Sequence, residues 1–128
     1  MAWNDSRPLS PHLQIYKLPP TALMSVLHRG TGVVLCIGTL MLVLILASAA
    51  SGADAYASTH WWISSWFGYL VLIGFTFSVY AHFCNGIRHL IWDLGYGFDI
   101  ENATKGAKVS FGAAILLTVL TWIVALAA

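Results

Sequence analysis

Three long stretches of this chain carry no formal charge, and they limit what it can fold into more than any other feature. Gly30 to Ala53 is 24 residues without Lys, Arg, Asp or Glu, Ala55 to Ile87 is 33, and Val109 to Ala128 is 20. A helix needs about 20 apolar residues to cross the ~30 Å hydrocarbon core of a bilayer, and each stretch meets that length. The long buried helices of a soluble bundle keep one polar stripe, and Val33 to Ala47 has none. Lipid admits only helices and closed barrels as spanning structures. The expectation is an all-α membrane protein with three transmembrane helices.

Composition supports this and removes other classes. Of 128 residues, 59% are hydrophobic and 9% charged, against about a quarter charged in a soluble domain. Six Lys/Arg and five Asp/Glu cannot cover a globular surface in polar groups. A formal charge of +1 excludes the basic face that a nucleic-acid binder needs. A cleaved signal peptide fits poorly, because the first apolar run begins near residue 30 and is too long.

Helices are expected over about 23–50, 61–91 and 105–127, joined by an outer loop, Ser51 to His60, and a Gly-rich inner loop, Gly95 to Asp99. Residues 1–22 contain Pro8, Pro11, Pro19 and Pro20, so they read as an extended interfacial segment with a rigid lead-in to the first helix. Residues 23–128 form the membrane anchor. Arg7, Lys17 and Arg29 precede the first span, Arg88, Lys105 and Lys108 lie between the second and third, and the outer connection has no Lys or Arg. The positive-inside rule then puts the N-terminus inside and the C-terminus outside. Tyr56, Trp61, Trp62 and Trp66 suit an outer aromatic belt, and Tyr16, Trp92 and Tyr96 an inner one.

Cys36 and Cys84 fall in separate spans and in no metal or haem-attachment pattern; they read as small buried hydrophobes. Ionisable residues in spans are costly and mark functional sites. His82 stands out, six residues before Arg88, about 9 Å along the axis. At about 100° per residue, Phe75, Ser78, His82, His89 and Asp93 share a narrow arc, with Gly86 beside it leaving room for a flat ring. The pattern suits a haem standing on edge with its iron on His82, although a lone membrane histidine also serves as an interhelical hydrogen-bond partner. A low-spin haem takes two axial ligands. His28, at the inner end of the first helix, reads as too shallow to share an iron with His82 and as placed for a propionate. The second ligand is then expected from another polypeptide.

Three motifs carry a resemblance. Arg7-Pro-Leu-Ser-Pro-His-Leu-Gln-Ile-Tyr16, Ser25-Val-Leu-His-Arg-Gly-Thr-Gly32 and His82-Phe-Cys-Asn-Gly-Ile-Arg-His89-Leu-Ile-Trp-Asp93 resemble, in order and spacing, the signatures of the cytochrome b anchor subunit of succinate dehydrogenase. The resemblance covers roughly residues 7 to 98, and the third helix adds only hydrophobicity. It implies a non-catalytic subunit that, with a second small anchor protein, holds an iron–sulfur subunit and a flavoprotein subunit on the inner face. It further implies haem b bound between the two anchors and part of a ubiquinone site. By motif position, His82 would be the axial iron ligand and His28, Arg29 and His89 would surround the propionates. Ser25 and Arg29 would face the quinone.

Other readings of these residues stand beside it. Ser25 also suits a helix-start cap, and Arg29 an interfacial anchor that snorkels. Gly30 stands where many relatives carry a larger apolar residue. His12 and His60 read as solvated interfacial residues, and Asp93 either bonds His89 or caps the inner end. The chain shows no flavin fingerprint, cluster-binding cysteine set or dicarboxylate site. A fumarate reductase anchor and a cofactor-free structural membrane protein are the alternatives. With six residues before Arg7 and no visible transit peptide, the sequence favours a bacterial inner membrane over a mitochondrial one.

Overall fold

A computed structural model describes residues 16–127. It contains α1 (Pro20–Ala50), α2 (Ala53–Ile63), α3 (Trp66–Asp93) and α4 (Ile100–Ala127). Arg7, Pro8, Pro11, His12 and most of the expected interfacial segment lie outside the described residues. Three helices, α1, α3 and α4, are long and apolar enough to cross a membrane. Their 31, 28 and 28 residues span about 42–46 Å at 1.5 Å per residue, so their ends reach past a ~30 Å hydrocarbon core or the helices tilt.

The boundaries show local chemistry that the apolar runs conceal. α1 starts at Pro20, with Pro19 as its N-cap; proline suits the first helical position, where its missing N–H costs nothing. The stretch expected as an outer loop is mostly helix α2, entered through Gly52 at φ +113°, a conformation that favours glycine. The second span begins at Trp66, because Ser65 Oγ accepts from Gly68 N at 3.0 Å and caps α3 there. α3 closes with Gly95 N bonded to Trp92 O at 2.8 Å and Tyr96 N to Ile91 O at 3.2 Å, Gly95 taking φ +87°, as in other glycine-terminated helices. The last helix starts earlier than expected. Asp99 Oδ1 accepts from Asn102 N at 2.9 Å and Oδ2 from Asn102 Nδ2 at 2.6 Å, extending α4 back to Ile100.

α3 lies between α1 and α4, and α4 also touches α1. The buried positions recur at helical spacing and are mostly small or polar: Met24, Thr31 and Gly38 on α1; Ser78, Ala81, Asn85 and Arg88 on α3; Ala107, Ser110, Ala114 and Thr118 on α4. Membrane helices pack this way because lipid tails compete for large apolar side chains, whereas small residues let backbones approach. Large apolar residues such as Leu44, Leu90 and Val124 point outward instead. Tyr80 and Thr121 join α3 to α4 through their hydroxyls at 2.8 Å. Within this chain the two cysteines are not buried: Cys36 is exposed and Cys84 half-buried.

Candidate functional site

Two rings from α3 rest on glycines of α1. A Cβ on Gly38 would lie under 3 Å from three atoms of the Phe75 ring, and one on Gly32 would lie 3.2 Å from His82 Cε1. The arc that holds Phe75 and His82 therefore faces α1. Gly86 has open space beside it, since a Cβ there would meet nothing within 4 Å; Gly32 is the glycine that admits the histidine ring.

The surroundings of His82 fix its proton. Its Nδ1 is 3.1 Å from the backbone oxygen of His28 and 3.3 Å from Thr31 Oγ1. The Thr31 hydroxyl donates to that same His28 oxygen at 3.0 Å. A carbonyl oxygen only accepts, so the hydrogen-bond network assigns the proton to Nδ1. Nε2 then keeps the lone pair, the form in which a neutral imidazole binds a metal.

His28 stacks on His82 with ring centroids 3.9 Å apart and planes 16° from parallel, and lies 5.2 Å from the His89 ring. The two rings thus lie at one level, contrary to the expected difference in depth. Their orientation still keeps them from sharing a ligand, because stacked faces do not aim two nitrogens at one atom. His28 Nδ1 is buried without a hydrogen-bond partner. Among the described residues no group of His, Cys, Asp and Glu is arranged to hold a bare metal ion. His89 stands edge-on to Trp92 at 5.2 Å, and Asp93 is exposed at the end of α3.

Ser25 and Arg29 share a face of α1. Arg29 Nη2 donates to Ser25 Oγ at 3.2 Å and Nε to Ser25 O at 3.4 Å. Ser25 lies well inside α1, so it is not a helix cap. With its oxygen accepting from Arg29, its own O–H is available to another acceptor.

Arg88, expected as a charge at the helix end near the histidines, instead turns to α4. It is 6% exposed, bonds Asn85 Oδ1 at 2.7 Å, lies 4.0 Å above the Trp92 ring and runs along Gly106. Trp92 in turn donates to Gly97 O at 3.1 Å, so it ties down the loop between α3 and α4.

Sequence reasoning missed Thr31, Gly32, Gly38 and Asn85 as site-forming residues. Thr31 and Gly32 were nonetheless visible as small residues within a turn of His28, at the start of a long apolar run.

Comparison with known proteins bears on the chain as a whole. Residues 4–121 match the family model described as succinate dehydrogenase/fumarate reductase transmembrane subunit. The chain is 40% identical over 121 residues to the succinate dehydrogenase cytochrome b556 subunit of Paracoccus denitrificans, covering 94% of this chain and 93% of that one. It is 37% identical over 126 residues to the cytochrome b560 subunit of Reclinomonas americana, covering 94% and 88%. It is also 37% identical over 127 residues to the mitochondrial cytochrome b560 subunit of Sus scrofa, covering 93% and 72%. The chain belongs to the succinate dehydrogenase/fumarate reductase transmembrane subunit family, among the multi-pass cytochrome b anchor subunits of succinate dehydrogenase.

Proposed function

We propose that this anchor subunit binds haem b together with a second small anchor subunit and forms part of the site where ubiquinone is reduced. The electrons come from succinate oxidation in the flavoprotein subunit and arrive through the iron–sulfur subunit. The observation that carries the reading is the assigned tautomer of His82, whose Nδ1 is held by the His28 carbonyl and whose Nε2 is left as a ligand. A haem held there would supply a one-electron carrier within the membrane. The distribution of Lys and Arg supports an orientation with the N-terminus and the soluble subunits on the inner face of a bacterial inner membrane.

The residues fit such a group. His82 would hold the iron, with the second axial ligand from the partner anchor. His28, whose Nδ1 is buried and unpaired, would join Arg29 and His89 in binding the propionates, where ionised donors make strong hydrogen bonds to carboxylates. Ser25 and Arg29 would act on the quinone. Its carbonyl oxygen gains negative charge on reduction, so the free Ser25 O–H and the adjacent guanidinium stabilise it more as the reaction proceeds.

The test is His82→Ala in the purified complex, followed by dithionite-reduced minus oxidised spectra. The expected result is loss or alteration of the haem band with membrane insertion retained. An unchanged low-spin spectrum in the variant refutes the ligand assignment, and no haem band in the unsubstituted complex refutes the haem reading itself.

A further inference from the structure

We propose that Thr31 and Gly32 form a cradle on α1 that sets the tautomer and the electron donation of His82, and through it the reduction potential of the haem. The proposal rests on the haem reading above and goes beyond it by assigning a role to two residues to which that reading gives none.

Thr31 is 4% exposed and lies between α1 and α3. Threonines in apolar helices usually return their hydroxyl to a carbonyl of the same helix, as Thr39 does to Leu35 O at 2.8 Å. Thr31 spends its proton on His28 O and turns its oxygen toward His82 Nδ1. The Nδ1 proton therefore faces two acceptors, the His28 carbonyl and the Thr31 hydroxyl, and the hydroxyl locks the carbonyl in place. Partners of this kind behind a metal-bound imidazole fix the ring's orientation and raise its basicity. A more basic imidazole stabilises the ferric ion more than the ferrous ion, which lowers the potential.

Gly32 governs distance. The ring edge at Cε1 approaches so closely that an alanine methyl would stand 3.2 Å away, tighter than an ordinary carbon contact of about 3.5–4.0 Å. Cε1 lies between the two ring nitrogens. A push there moves Nδ1 off its carbonyl and re-aims Nε2 in the same motion.

Thr31→Val keeps the shape and removes the hydroxyl. One net hydrogen bond to the ring corresponds to a shift of about two- to tenfold in the ferric–ferrous equilibrium, here toward the ferrous form. The experiment is a potentiometric titration of the haem absorbance in the purified complex, with haem content and the ferric low-spin electron paramagnetic resonance spectrum measured on the same samples. Expected are full haem content and a raised potential in Thr31→Val, return toward the original value in Thr31→Ser, and a changed low-spin spectrum in Gly32→Ala. Thr31→Ala makes the same comparison if the valine variant fails to assemble. Full haem with an unchanged potential in the hydroxyl-free variants overturns the cradle while leaving the haem reading intact, as does a serine variant that behaves like valine. Absence of haem from the unsubstituted complex overturns the reading beneath it instead.

Discussion

Replacing Gly38 with alanine adds one methyl group where the Phe75 ring already lies. The new Cβ would fall under 3 Å from Cε2, Cδ2 and Cζ, with Cζ the farthest at 2.9 Å. Carbon atoms rest at about 3.5–4.0 Å, so even Cζ must retreat by roughly 0.6 Å and the other two by more. The ring is planar and three of its atoms are involved, so a small rotation does not clear them. Either Phe75 leaves its rotamer or α1 and α3 separate, and overpacking of this kind costs about 1–3 kcal/mol.

The decisive assay is a double-mutant cycle on thermal unfolding of the solubilised complex. Gly38→Ala alone is expected to lower the midpoint, and Phe75→Ala alone to lower it by less than the ~3–5 kcal/mol of a fully buried ring, since Phe75 is half-buried. Combined, the two should cost less than their sum by about 1–3 kcal/mol, since contacting residues couple on this scale and the added methyl occupies space that the ring vacated. Gly38→Ala without effect, or strict additivity in the double variant, would refute the account of how α1 and α3 meet. Because Phe75 and His82 share one arc, separation of the helices at Gly38 is also expected to broaden the spectrum of the proposed haem.

Asn85→Leu removes the hydrogen-bond partner of a buried guanidinium and should destabilise the complex by about 1.5–3 kcal/mol, read as a lower thermal midpoint; Asn85→Leu with Arg88→Met should recover part of it, since both buried polar groups are then gone. Arg29→Leu is expected to impair quinone reduction more than succinate oxidation by a soluble dye, and equal losses would point to failed assembly. Asp99 has its carboxyl held below the ordinary range, first by the Asn102 backbone N–H and then by the Asn102 side chain. Its cap is thus fully present above the ordinary carboxyl value and is lost as pH falls through the lowered one. Asp99→Ala should speed amide exchange in the first turn of α4 near neutral pH, and the difference from the unsubstituted protein should vanish below the lowered value.

Charge-free runs made the membrane-spanning helices legible, since length and apolarity are properties of a segment by itself. The break between α2 and α3 was hidden because Trp61, Trp62 and Trp66 continue an apolar pattern across Ser64 and Ser65; only the Ser65 cap on Gly68 N–H marks the new helix. Asp99 shortened the loop between α3 and α4 in the same way, through a single side chain bonding the Asn102 backbone. Arg88 was readable as a charge near a helix end, but its burial depends on α4 presenting Gly106 beside it, which is a tertiary fact. His82 was conspicuous as an ionisable group in a span. The hydroxyl and the carbonyl that hold it belong to a helix more than 50 residues away in the chain, so its environment could not be read from neighbouring residues.

The structure also joins two properties that are often argued apart. Gly32 and Gly38 lie on the face that lets α1 approach α3, and each is filled by a ring rather than by backbone. At Gly38 the ring is Phe75 and the consequence is helix packing. At Gly32 the ring is His82, so the same device that brings the helices together also sets where that ring sits, and under the proposed function where its ligand nitrogen points. A substitution at either glycine therefore perturbs one shared surface, and the two should differ in kind: loss of stability leading at Gly38, and a changed ligand field leading at Gly32.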